Sequence, residues 1–142
     1  ETLYSFNDPT VEIVNIMSRF RTQESFVDKN NVKVVVKQNN DALYFSREPI
    51  PSIWRGLEGV PMYMQTGIIA FRRDALLCFN SMEESRLEQI ESVDMNRILE
   101  SGGQIRMLLT EATTLGVDTP RELEDAEKLM NDDPTLDQYL LR

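Results

Sequence analysis

Asp118 sits in the run Gly116-Val117-Asp118-Thr119-Pro120, between an apolar, strand-like stretch at residues 105–110 and a well-signalled helix. Thr119, Pro120 and Glu122 read as N-cap, first helical position and capping-box partner of that helix. With Thr119 capping, the Asp118 carboxylate is left over at the carboxyl end of a strand, where open α/β sheets bind their ligands. A hard oxygen ligand there suits Mg²⁺ carrying a nucleotide phosphate. The plainer alternative is a solvated turn aspartate.

Three further features bear on chemistry. Arg47 follows an apolar strand and precedes a proline-containing loop, so its guanidinium could hold a carboxylate or phosphate by two parallel hydrogen bonds, or be an ordinary exposed arginine. Over residues 87–99, helical spacing places Glu91, Asp94 and Arg97 among Leu87, Ile90 and Ile98. Charges within an apolar stripe are expensive unless paired or lining a cleft. Three readings stay open: charges that pair with each other on the surface, the wall of a site, or a subunit interface. Trp54 is either an anchor packed on the core or a stacking surface.

Composition removes several classes of chemistry. The chain has no histidine, which excludes a Ser-His triad and the usual zinc ligands. Cys78 is the single cysteine, so no internal disulfide or CxxC site forms; its apolar neighbours predict a buried, inert thiol. Fifteen basic and twenty-four acidic residues give a net charge of −9, which disfavours nucleic-acid polymers as partners. Neither GxGxxG nor GxxxxGK occurs, and no nucleophile has an adjacent base. No run reaches membrane-span length and no signal-peptide pattern is seen, which predicts a cytoplasmic protein without a membrane partner.

The elements that must position these residues alternate in the manner of an α/β fold. Residues 1–6 suit the end of a helix closed by Asn7-Asp8-Pro9, and the β-branched run at 11–17 suits a strand better than a helix. A short helical turn is expected at 23–27 and a hairpin from strands at 32–37 and 42–46 around Gln38-Asn39-Asn40-Asp41. Residues 47–61 form a loop; 64–71 suit a buried strand; 73–81 and 87–99 suit helices, the second stopped by Gly102-Gly103. A strand at 105–110 and a helix at 120–130, with Leu123, Ala126 and Met130 as its inward stripe, complete the body. Residues 132–142 form a tail with the pattern of a short amphipathic helix.

Taken in order, Val32-Lys33-Val34-Val35, Ala42-Leu43-Tyr44-Phe45-Ser46-Arg47, Pro49-Ile50-Pro51, Gly67-Ile68, Leu87-Glu88-Gln89-Ile90-Glu91 and Gly116-Val117-Asp118-Thr119-Pro120 resemble one family. They are similar to the C-terminal part of 3-deoxy-manno-octulosonate cytidylyltransferase (CMP-Kdo synthetase) over about residues 11–130 at nearly constant spacing. The resemblance implies a nucleotide-sugar-transferase-like α/β fold with a mixed sheet, and a homodimer formed largely through this part. It also implies transfer of CMP from CTP to a sugar acid with release of pyrophosphate, in lipopolysaccharide precursor synthesis. Asp118 then matches the metal-binding aspartate and Arg47 the arginine beside the sugar-acid pocket. Arg47, Gln65, Glu91 and Asp94 are the expected substrate contacts, and Mg²⁺ the expected cofactor.

The pocket departs from the family pattern. Gln65 stands where a histidine is common, Ile69 where a tyrosine is, and Asp94-Met95 where a Glu-Gln pair is. Such exchanges alter which hydroxyl or amine can be satisfied, which suits a related acid such as the 8-amino analogue of Kdo or a sialic-acid-like sugar. The division expected is 1–131 as the sugar-acid-binding and dimerising part, followed by the tail at 132–142. The first residue is Glu1 and nothing near it resembles the family's nucleotide loop, so these residues alone are expected to be inactive. The competing reading is a non-catalytic acidic α/β dimerisation module.

Overall fold

The structure, a computed structural model, describes residues 2–56, 58–112, 117, 120–131, 133 and 136. After a 3-10 turn at Thr2–Asn7, the first unit contains strand β1 (Ile13–Arg19), helix α1 (Gln23–Val27), and strands β2 (Lys33–Val36), β3 (Ala42–Ser46) and β4 (Tyr63–Phe71). Helices α2 (Arg73–Ser81), α3 (Arg86–Glu91) and α4 (Met95–Glu100) and strand β5 (Arg106–Thr110) follow. The chain divides into Glu1–Ala112 and Thr113–Arg142, and the second unit contains helix α5 (Pro120–Asn131).

The five strands make one mixed sheet in the order β3–β2–β4–β1–β5. Only β1 and β5 pair in parallel; β1–β4, β4–β2 and β2–β3 are antiparallel. The β-branched run of β1 becomes a strand, and the Asn-Asp turn closes the β2–β3 hairpin with Asn40 at φ 65°, a left-handed position that asparagine tolerates. At the turn end of this hairpin the two sheet edges meet. The Ala42 N–H donates to the Ile105 carbonyl, and the Asp41 carboxylate pairs with Arg106 at 2.7 Å. The core joins Ile13 and Met17 of β1, Val34, Ala42, Phe45 and Met107 of the sheet, and Val93, Met95 and Ile98 from the helical side.

The single helix expected over 87–99 is two. Ser85 caps α3 in a full capping box with Glu88, and Ser92 closes it in a left-handed conformation (φ 54°, ψ 47°). The break redirects α4, so Met95, Asn96 and Ile98 are buried while Ile90 stays exposed. Glu91, Asp94 and Arg97 therefore do not share a continuous helical face. Asn96 then does what a neighbouring strand would do for β3. Its side chain accepts from the Phe45 N–H (3.2 Å) and donates to the Phe45 carbonyl (3.0 Å), blunting an open sheet edge.

Three other expectations are corrected. Strand β4 is half-buried rather than buried, with Gly67 and Ile68 exposed, because its ladder with β1 is interrupted there. Cys78 is exposed: on α2 it is Ala75 and Phe79, one turn apart, that pack on the core, turning Cys78, Leu76 and Leu77 outward. On α5, Leu123 and Met130 are exposed and only Ala126 is partly covered, so the supposed inward stripe is not buried.

Candidate functional site

The carboxyl end of β3 gathers most of the polar contacts between sheet and helices. Tyr44 and Ser46 lie two apart on the strand and so on one face. Their hydroxyls both donate to Glu91 Oε1, at 3.0 and 2.9 Å, and the Arg47 N–H donates to Oε2 at 2.9 Å. Burial pushes the Glu91 carboxyl up, but the Arg47 N–H and the Ser46 and Tyr44 hydroxyls outweigh it, leaving it below the ordinary glutamate value. Burial and the hydrogen bond to Glu91 push the Tyr44 phenol the other way, above its ordinary value.

Arg47 is held by carbonyls instead of carboxylates. Its Nε donates to the Glu91 carbonyl (3.0 Å), one terminal nitrogen to Lys29 (3.0 Å) and the other to Ser92 (3.2 Å). Three of the five guanidinium N–H groups are thus engaged in the fold, and two remain for a ligand.

Beneath it lies Lys33, fully buried, whose ammonium donates to the carbonyls of Asp28 (2.5 Å), Asn31 (2.9 Å) and Arg47 (2.7 Å). Burial pulls its pKa down from the usual lysine range. Three carbonyls matched to three N–H donors nevertheless favour the charged form, because a neutral amine would leave at least one of them unserved. The result joins the α1–β2 loop, the end of β3 and the α3–α4 break into one rigid corner.

The remaining predicted residues are placed differently. Gln65 lies on β4, opposite Met17, with its Oε1 buried and unpaired. Ile69 is partly buried against the core and Met95 is a core residue at 1% exposure, so these two supply packing. Asp94 is exposed at the start of α4 and makes no capping bond there. It lines an open groove with Glu84, Glu88, Gln89, Ser92 and Val93, whose acidic lining suits a cationic group better than a phosphate. Arg97 is drawn away from Asp94 by Glu88, which it grips through Nε (2.7 Å) and a terminal nitrogen (2.5 Å). Thus Arg47 and Glu91 are brought into contact, Gln65 and Asp94 stand on other elements, and Asp118 lies outside the described residues.

Among the described residues no group of three or more histidine, cysteine, aspartate or glutamate side chains could hold a metal ion. By themselves these residues do not fit a metal centre. Among them, too, no helix is long and apolar enough to cross a membrane. Trp54 is 91% exposed, so it is not packed on the core of this chain. Tyr44, Ser46 and Lys33 stand in the runs that carry the resemblance, but no site role is read for them from sequence. The alternation of Tyr44 and Ser46, and a lysine inside Val32-Lys33-Val34, were the available signals.

Comparison with known proteins places this arrangement in a lineage. The 3-deoxy-manno-octulosonate cytidylyltransferase of Flavobacterium johnsoniae is 38% identical over 128 residues, covering 89% of this chain and 52% of the relative. The protein of the same name from Christiangramia forsetii is 36% identical over 121 residues, covering 85% of this chain and 49% of its own. A solved structure of CMP:2-keto-3-deoxy-manno-octonic acid synthetase complexed with CTP superposes with a TM-score of 0.83 at 37% identity, covering 92% of this chain and 54% of that one. The chain therefore spans about half the length of the curated relatives it matches. A sequence model described as Cytidylyltransferase matches residues 2–109, and the chain belongs to that family.

Proposed function

We propose that this chain is the sugar-acid-binding and dimerising part of an enzyme that transfers CMP from CTP to a 3-deoxy-octulosonic-type acid, releasing pyrophosphate for lipopolysaccharide precursor synthesis. The observation that carries the reading is the similarity along most of the chain to proteins named for that reaction, on a fold superposing with a CTP complex of one of them. Arg47 offers its two remaining N–H donors to the acceptor's carboxylate, held in place by the carbonyls of Lys29, Glu91 and Ser92. Glu91 orients the end of β3 through Tyr44, Ser46 and the Arg47 N–H, acting beside the acceptor. Gln65 reads its hydroxyl groups, and Asp94 its hydroxyl or amine groups.

Asp118 is the proposed Mg²⁺ ligand. A single carboxylate suffices when nucleotide phosphates and water complete the shell, and the ion would then offset charge at the phosphate under attack. The reaction uses CTP, so a cytoplasmic location is proposed. Exposed Leu77, Ile90 and Trp54 suit burial in a homodimer. One observation favours a second acceptor: Asp94 makes no capping bond and lines the acidic groove, which suits an ammonium such as that of an 8-amino sugar acid.

Pyrophosphate release by the intact protein, with CTP and each acid in parallel, tests the reading. Asp118→Asn is expected to lower kcat by roughly 100-fold or more, as loss of an electrostatic transition-state contact does. The 142 residues alone are expected to release none, and turnover by them overturns that part. Turnover of Kdo with no preference for the 8-amino sugar acid overturns the second acceptor; turnover of neither overturns the first.

A further inference from the structure

Asn15, near the centre of β1, has no exposed surface, and neither its Nδ2 nor its Oδ1 has a hydrogen-bond partner among the described residues. Gln65 Oε1 on β4 is the one other buried, unpaired side-chain atom among the described residues. Unpaired amides at that depth are costly, and each calls for a reason.

The strand register puts the two side chains on one face. β1 pairs with β5 without interruption from Val14↔Arg106 to Ser18↔Thr110, so its side chains alternate regularly. Ile13, Asn15 and Met17 therefore point the same way, and Ile13 and Met17 are in the core. Gln65 is the antiparallel partner of Met17 and shares that face. The partner of Asn15 is Ile69, so Thr66, Gly67 and Ile68 of β4 stand against the single Ile16 of β1. This is a bulge, and Gly67, with φ 80°, supplies the left-handed conformation that bends it. The bulge loosens the sheet beside the two amides.

The unpaired atoms are one donor and two acceptors. A direct contact between the amides would satisfy two of the three and leave Asn15 Oδ1 unpaired. One water satisfies all three: it accepts from Asn15 Nδ2 and donates its two protons to Asn15 Oδ1 and Gln65 Oε1. Three bonds is the usual number for a buried water, and Gln65, as the partner of Met17, stands diagonal to Asn15 on the same face beside the bulge that opens the ladder. We infer that Asn15 and Gln65 hold a single buried water at the β4 bulge, and that Asn15 is through it a positioning residue for Gln65. With Oε1 tied inward, the Nε2 of the half-exposed Gln65 faces outward as a donor, so it meets an acceptor atom of its ligand and repels an ammonium. The water stands on this geometry alone; its consequence for the sugar acid rests on the placement of Gln65 in the acceptor pocket proposed above.

A crystal structure of the protein at a resolution that shows ordered water is the direct test. Density within hydrogen-bonding distance of both amides is expected; amides in direct contact, or none between them, overturn the inference. Thermal unfolding of Asn15→Leu, Gln65→Met and the double variant gives a second measure. Each single change is expected to lower Tm by several degrees, and the double change by less than the sum. A rise in Tm for Asn15→Leu means that an unpaired amide was relieved and overturns the shared water. In the intact enzyme, Asn15→Leu is expected to raise KM for the sugar acid several-fold and leave KM for CTP unchanged. If the water and the thermal coupling are found and KM for the acid rises in Gln65→Met but not in Asn15→Leu, the positioning role falls while the water and the placement of Gln65 stand; if it moves in neither, the placement of Gln65 in the pocket falls and the water stands.

Discussion

Lys33 and Asn15 are both polar side chains fully buried on strands of one sheet, and they are treated in opposite ways. Lys33 reaches three backbone carbonyls, and around it Glu91, Arg47, Tyr44 and Ser46 all find partners. Asn15 and the neighbouring Gln65 Oε1 find none among the described residues. The difference lies in what surrounds them. Lys33 is the first residue of its strand, directly after the short α1–β2 loop, so the Asp28 and Asn31 carbonyls fall within its reach. Asn15 stands in mid-strand between β5, whose backbone groups are committed to an unbroken ladder, and the bulge of β4, and its amide pairs with neither. A buried polar group beside a loop end can organise that loop; one in mid-sheet can only be satisfied by something brought in.

The sharpest way to break the contrast is Lys33→Met, which keeps the apolar stem and removes the donors. Asp28 retains a bond from the Asn31 N–H, so the Asn31 and Arg47 carbonyls bear most of the loss. Two carbonyls stripped of charged donors are expected to cost about 3 kcal/mol, read as a shift in the urea midpoint with unchanged slope. A neutral result would mean that water reaches the corner and that the two regions do not differ in kind. Glu91→Gln is a smaller perturbation. One amide oxygen can still take the Tyr44 and Ser46 hydroxyls, but the amide nitrogen then faces the Arg47 N–H, donor against donor. About 2 kcal/mol is expected in the same measurement.

Much of this contrast could not be read along the chain. The strands of the β2–β3 hairpin, α1 and α2 followed from β-branched runs and turn residues, which are local signals. The break at Ser92 did not, because an apolar period of about 3.6 residues runs through it. What decides the break is the tertiary demand that Met95, Asn96 and Ile98 reach the sheet. The same limit applies to the candidate site. Arg47 and Glu91 were picked out singly, yet their contact joins positions 44 apart in the chain, and the partners of Arg47 are carbonyls, which sequence does not display. Asn15 gave no signal at all, since an asparagine in an apolar strand looks like an edge or a bulge until its burial is known.

Acid is the gentlest probe, and it separates the two regions because only one of them carries titrating groups. The hydrogen bond from Arg97 holds the Glu88 carboxyl below its ordinary value despite partial burial, and Glu91 is likewise depressed on balance. A carboxyl whose folded value is depressed contributes stability that is fully present above its unfolded value and is lost as pH falls through the folded one. The window therefore opens below about pH 4.3, the ordinary glutamate value, and extends to lower pH. Asn15 and Gln65 carry no titrating group, so the bulge adds nothing to that slope. Urea unfolding of the wild type between about pH 6 and pH 3 is expected to show a progressive loss of stability on the acid side. In Glu91→Gln the loss should be shallower, and in a variant carrying Asn15→Leu it should be unchanged in slope. A slope in Glu91→Gln equal to that of the wild type would show that Glu91 is not held as an ionised acceptor at the end of β3. The corner would then owe its rigidity to Lys33 and to the Arg47 guanidinium alone.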